Sequence, residues 1–162
     1  MSDLAARLRH LEDVEEIRAL DARYCRLLDE SDWPAFVALF TPDGTFDGLQ
    51  AVTGHDALLA FFSALADSGM TFWHHLSNHE IEVDGDRARV RSLLWQPCVV
   101  DGVAHVAAGR YDDRLVRTAE GWRYELKRVR FSYWGPLTEG WGPHRFAFEP
   151  AKAAALPPGG PA

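Results

Sequence analysis

Apolar residues recur at three- and four-residue steps through the first part of the chain: Leu4, Leu8, Leu11, Val14, Ile17, Leu20, Tyr24 and Leu27. That period predicts a helix over residues 3–28 with one apolar face, while Asp13, Glu16 and Arg23 occupy the other. Asp32 reads as the N-cap of a short second helix, because its side chain can accept a bond from an unpaired backbone N–H. Pro34 falls in the first turn of that helix, where a missing N–H costs nothing. Phe36, Val37 and Phe40 give it an apolar face, and Thr41-Pro42-Asp43-Gly44 stops it. Residues 45–53 read as a strand or hairpin. A third helix is predicted from His55 to Ala66, with Leu58, Phe61, Phe62 and Leu65 on one side and Ser68-Gly69 at its end.

From Thr71 the period changes to two. Strands are predicted over residues 71–83, 87–99, 103–117 and 122–134, joined by Asp84-Gly85-Asp86, Asp101-Gly102 and Glu120-Gly121. On the second of these strands the even row (Ala88, Val90, Ser92, Leu94, Gln96, Cys98) opposes Arg87, Arg89 and Arg91, so the even row should face inward. On the third, His105, Ala107, Gly109, Tyr111 and Leu115 should face inward. On the fourth, Trp122, Tyr124 and Leu126 share one parity while Val129, Phe131 and Tyr133 share the other. A bulge near Lys127–Arg128 would reconcile them and bend the sheet. Helices followed by a bent meander make an α+β plan: a cone-shaped, curved antiparallel sheet wrapped around the long N-terminal helix with two shorter helices. In that plan the segment 24–47 closes one side of a deep pocket into which Tyr24 and Asp29 look. We expect one domain over residues 1–148, with Trp141, Phe146 and Phe148 packed on it, and a disordered Pro/Gly/Ala-rich tail over 149–162.

Composition narrows the function classes. A net charge of −7 with no basic run argues against a nucleic-acid surface. No apolar run reaches the roughly 20 residues of a membrane helix, and no signal-peptide core is present, so a cytoplasmic protein is expected. Cys25 and Cys98 form no CxxC pattern and read as buried thiols. Aromatics make up 12% of the chain, six of them Trp, which suits a pocket for a large flat ligand.

Tyr24-x4-Asp29, the segment ALFTPDGTF, the segment HHLSNHEIEVDGD, and GRYDDRLVR followed by GWRYELKRVRF together resemble the SnoaL-like branch of the nuclear-transport-factor-2-like superfamily, over roughly residues 5–134. The pattern is most similar to cofactor-independent dehydratases of hydroxysteroids and aromatic polyketides. The resemblance implies a Tyr-x4-Asp at Tyr24 and Asp29, and a strand histidine at His74. It also implies an arginine near Arg130. The family's second strand carboxylate falls on Gln96, a departure. The superfamily also holds isomerases, polyketide cyclases, dioxygenase small subunits and non-catalytic binding modules.

Those residues suit elimination of water next to a carbonyl without metal or cofactor. An imidazole can act as base or acid near neutral pH. A carboxylate beside it fixes its tautomer, and a phenol can donate to a developing enolate. His74, Asp29 and Tyr24 are the candidate catalytic set, and Gln96, Arg130, Tyr111 and Phe131 the candidate substrate contacts. Strict alternation places Ile81 and Val83 in parity with His75, so either His75 faces inward or a bulge around Ser77–Asn78 shifts the register. His105 is inward by parity but close to a turn. His55, His79 and His144 read as structural or solvated. No HxxxH or HxH spacing suggests a metal. Trp95 lies on the outward row, and a homodimer or higher homo-oligomer through the open sheet face is expected. The leading function is a cofactor-independent dehydratase, or dehydratase/cyclase, acting on a polycyclic aromatic, polyketide-like or steroid-like carbonyl compound. An isomerase or polyketide cyclase with Asp29 as base is one alternative. A non-catalytic ligand-binding module or oxygenase small subunit is another.

Overall fold

A computed structural model describes residues 2–139. The tail over 149–162 and the candidate packing residues Trp141, Phe146 and Phe148 lie outside the described residues, as does His144. Three helices, α1 (Ser2–Asp29), α2 (Trp33–Val37) and α3 (His55–Asp67), accompany seven strands. The strands are β1 (Phe40–Asp47), β2 (Ala51–Thr53), β3 (Thr71–Phe72), β4 (His75–Asp84), β5 (Arg87–Val100), β6 (Val103–Thr118) and β7 (Gly121–Pro136). They form one sheet in the order β2-β1-β7-β6-β5-β3, with β4 also on β5, next to β3 along its edge. Pairing is antiparallel throughout except between β1 and β7, which run parallel.

The expected alternation holds on β5: Ala88, Val90, Ser92, Leu94, Gln96 and Cys98 are all buried, and the arginines between them are exposed. Ala88, Val90 and Leu94 of that row pack with Ile17, Leu20, Tyr24 and Leu28 of α1, and with Phe36 and Phe62 of the short helices, in the main core. A smaller cluster of Phe72, Cys98, Ala107 and Trp134 continues it along the sheet.

Three local features differ from the sequence expectation. β1 begins at Phe40, so Thr41-Pro42-Asp43-Gly44 lies within the strand as an irregularity between Phe40 and Thr45. The parity change on β7 comes from the register shift against β6 between Arg114 and Leu115, which skips Glu125 just before Lys127–Arg128; a second shift, between Ala108 and Gly109, skips Ser132 and returns the inward row to even positions at Trp134. The buried stripe of α1 begins at Asp13 and runs through Ile17, Leu20 and Tyr24; Leu4, Leu8 and Leu11, expected on the same face, are exposed and lie on the other side of the helix.

Gly109 marks the second shift. A Cβ there would run into the Arg130 carbonyl oxygen and stand 3.1 Å from the Phe131 Cα. Backbone cannot step aside as a flexible side chain can. Gly109→Ala is therefore expected to cost about 1–3 kcal/mol in urea unfolding, the range for overpacking; an unchanged midpoint would contradict so tight an approach.

Candidate active site

The end of α1 places the first side chain. Ser31 adopts a left-handed conformation, φ 61°. The Asp32 N–H donates to the Leu27 carbonyl (3.0 Å) and the Ser31 N–H to the Leu28 carbonyl (3.3 Å). This is the double closure of a helix C-terminus, with serine where glycine is usual. Asp32 then caps α2 by accepting from the Ala35 N–H at 3.2 Å, as expected from the sequence. Asp29 is thus the last helical residue. A carboxylate there opposes the helix dipole, so its place is not explained by helix stability.

Asp29 instead meets His74, which lies between β3 and β4. The His74 ring donates from Nδ1 to Asp29 Oδ1 at 2.6 Å, and the His74 backbone N–H donates to Oδ2 at 3.0 Å and to Oδ1 at 3.3 Å. Because a carboxylate only accepts, Nδ1 carries the proton and Nε2 keeps its lone pair in the neutral ring. Nε2 makes no hydrogen bond among the described residues. The His74 side chain is 6% exposed.

The question of His74 against His75 is resolved by the bulge. β4 slips one residue against β5 between Ser77 and Glu80, and Asn78 takes φ 53°. His75 is exposed and paired with Trp95 on the outer face. The same slip turns His79 inward, where its Nε2 approaches Asp21 Oδ2 at 3.1 Å without hydrogen-bond alignment.

Pairing of Phe72 with Cys98 and of His75 with Trp95 carries one register across the β3–β4 junction, which sets His74 opposite Gln96. Gln96 in turn opposes Ala107, and Ala107 opposes Trp134. His74, buried Gln96, the small Ala107 and Trp134 thus form one row across the inner face. His105 lies in the next row, opposite Cys98, and donates from Nδ1 to the Val103 carbonyl at 2.9 Å. Phe131 packs on Trp134 with ring centroids 4.8 Å apart and joins the two core clusters.

Three expected site residues, Arg130, Tyr24 and Tyr111, fall elsewhere. Arg130 faces outward and is held by Asp47, with Nη2 to Oδ2 at 2.9 Å and Nη1 to Oδ1 at 3.1 Å. The neighbouring inward positions, Val129 and Phe131, took the interior, and Asp47 is also bound by Arg128 at 2.7 Å. Tyr24 does not look into an open pocket. It is fully buried among Phe36, Tyr111 and Tyr124, and its hydroxyl makes no hydrogen bond among the described residues. Burial and the adjacent Tyr111 hydroxyl hold its pKa well above the ordinary phenol value. Two open hollows lie away from the dyad, along Ala6, Arg7, His10 and Leu11 of α1 and beside Gly85, Asp86 and Arg117.

What fills the space beneath Tyr24 is a buried ion cluster. Lys127 Nζ donates to Asp21 Oδ1 and Asp113 Oδ2, both at 2.7 Å. It also sits 4.5, 4.4 and 4.5 Å from the ring centres of Tyr24, Tyr111 and Tyr124. The Tyr124 hydroxyl donates to Asp21 at 2.6 Å. Tyr111, expected as a substrate contact, belongs to this cage. Burial would raise the Asp21 pKa, yet the Lys127 ammonium, the nearby His79 ring and the Tyr124 hydroxyl hold it well below the carboxylate range. Burial dominates for Asp113 and raises it, against the pull of Lys127. Burial would lower Lys127, but the two carboxylates raise it. The sequence carried a signal: Asp21 and Asp113 both fall on inward positions, and Lys127 sits where the β7 parity fails.

A model of the SnoaL-like domain matches residues 9–128. An uncharacterised protein of Mycobacterium tuberculosis is 31% identical over 126 residues, covering 74% of this chain and 84% of that one. A solved nuclear-transport-factor-2-like protein with a cystatin-like fold, from Novosphingobium aromaticivorans, is 34% identical with a TM-score of 0.66, over 80% of this chain and 88% of that one. A protein from the same organism, described by prediction as a scytalone dehydratase, superposes with a TM-score of 0.74 at 21% identity, over 100% of this chain and 99% of that one. At that identity the likeness is one of fold.

Proposed function

This chain belongs to the SnoaL-like domain family, and from that premise we propose that it is a cofactor-independent dehydratase of a cyclic hydroxy-carbonyl compound of polyketide, aromatic or steroid type. The observation that carries the reading is the Asp29–His74 pair at 2.6 Å. Asp29 holds the proton on Nδ1, so the Nε2 lone pair is the base. Nε2 takes the proton α to the substrate carbonyl, and the C–H electrons become an enolate. As the enolate collapses, the bond to the β-hydroxyl breaks, a carbon–carbon double bond forms, and the imidazolium returns its proton to the leaving hydroxide as water. Asp29 stabilises the imidazolium in between. Gln96, one strand across from His74, is the polar group placed to orient the carbonyl, with Phe131 and Trp134 as apolar wall.

Formation of a conjugated enone gives a direct absorbance assay over a panel of such hydroxy-ketones. Asp29→Asn keeps the size of the side chain but can offer an amide N–H to the ring, which favours the wrong tautomer; turnover should fall on the order of 10²–10⁴-fold, as for orienting carboxylates elsewhere. The rival reading, isomerisation with Asp29 itself as base, predicts that Asp29→Asn abolishes turnover while His74→Ala leaves it.

A further inference from the structure

We propose that the N-terminal turns of α1 pair, parallel and in register, with the same turns of a second copy of this chain. Residues 3–12 are all exposed, and Asp13 is the first buried position of the helix. Leu4, Leu8 and Leu11 are 69%, 55% and 64% exposed. About three turns at the start of the 28-residue helix therefore bury no side chain among the described residues, and helix ends fray readily in water unless an apolar face is covered.

The three leucines follow the spacing of a two-helix seam. With Leu8 at position a, Leu4 and Leu11 fall at d, Arg7 at g and Glu12 at e. In a parallel pair each g residue meets the following e residue of the partner. Arg7 of each copy then faces Glu12 of the other, twice by symmetry. An antiparallel pair brings g to g and e to e, which sets arginine beside arginine or separates the charges, and it stacks Leu4 on Glu15. The parallel arrangement gives three leucine layers and two ion pairs.

Geometry permits it. At about 100° per residue, the Leu4–Leu8–Leu11 stripe lies on the side of α1 opposite Ile17, Leu20 and Tyr24, which carry the helix onto its own sheet. A partner helix on the stripe leaves the two domains on opposite sides. Glu15 takes the next a position and ends the seam close to where α1 enters its domain. The contact is short, so a reversible dimer is expected.

Sedimentation over a concentration series should give a mass rising above the 18.2 kDa of one chain. Leu8→Asp, on an exposed side chain whose change leaves the domain folded by circular dichroism, should hold the protein monomeric. Under mild oxidation Leu8→Cys should form a covalent dimer, and Arg9→Cys, off the seam, should not; Cys25 and Cys98 are not exposed. Arg7→Glu should weaken the dimer, and Arg7→Glu with Glu12→Arg should restore it. A wild-type monomer at every concentration overturns the proposal. So does equal crosslinking at positions 8 and 9, or a dimer that survives Leu8→Asp, which would move self-association to another surface such as the sheet face of Leu93 and Trp95.

Discussion

His74→Ala lowers dehydration turnover by about 10²–10⁴-fold, the span usual for loss of a general base, while the protein keeps its fold. The second half of that expectation follows from how Asp29 is bonded. Two of its three bonds to His74 go to the backbone N–H, at 3.0 and 3.3 Å, and survive removal of the ring. The junction between the end of α1 and the start of β4 is therefore kept, and the thermal midpoint should shift by no more than a few degrees, the size expected for about 1 kcal/mol. The carboxylate loses only its ring partner. The kinetic loss should appear in kcat rather than in KM, since a proton abstracted in the transition state is not a ground-state contact. Near wild-type turnover in a folded His74→Ala protein would remove the imidazole from the chemistry and leave Asp29 as the base of the rival isomerase reading.

How far such a site can be read from the chain depends on the kind of signal. Alternation along β5 was legible because one face is buried, and a one-residue slip would expose every apolar side chain at once. The bulge at Ser77–Asn78 was legible as a conflict: His74 and Val83 could both face inward only if a residue was inserted between them. The end of α1 was legible from Glu30-Ser31-Asp32. Three things were not. The stripe Leu4–Leu8–Leu11 has the same period as Ile17–Leu20–Tyr24, and periodicity marks an apolar face without saying what covers it. Arg130 depends on which of two neighbouring registers β7 takes, and two shifts against β6 decide that. Tyr24 lies on the core stripe, and only packing could tell a phenol in a cavity from one sealed by Phe36, Tyr111 and Tyr124. The SnoaL-like resemblance supplied the Asp29–His74 pair, which the structure joins, but it said nothing of Lys127.

Lys127 carries the second large effect, on stability. Lys127→Met is expected to cost about 3–5 kcal/mol in urea unfolding, because it leaves the buried carboxylates Asp21 and Asp113 without their cation. The residue is 0% exposed, so water cannot replace it. Packing loss alone is small, since Met nearly matches the Lys stem in volume. Replacing the whole ionic set, with Lys127→Met, Asp21→Asn and Asp113→Asn together, should recover much of the loss, as buried ion clusters commonly add little beyond a neutral core of the same shape. The pH dependence separates the members. Asp21 has a folded pKa below its unfolded value near 3.9, so its contribution is present above about pH 4 and lost as pH falls through the folded value. Asp113 is raised on folding, so its contribution is present below about pH 4 and lost as pH rises through its folded value. Lys127 is raised as well, and its contribution is present below about pH 10.4 and lost above it. Thermal midpoints across a pH series should therefore show an alkaline loss in the wild type that is reduced in the triple variant. A single Lys127→Met variant as stable as the wild type would mean that the two acids reach solvent or share a proton without it. The cluster would then not be what ties α1 to β6 and β7, two turns before Asp29.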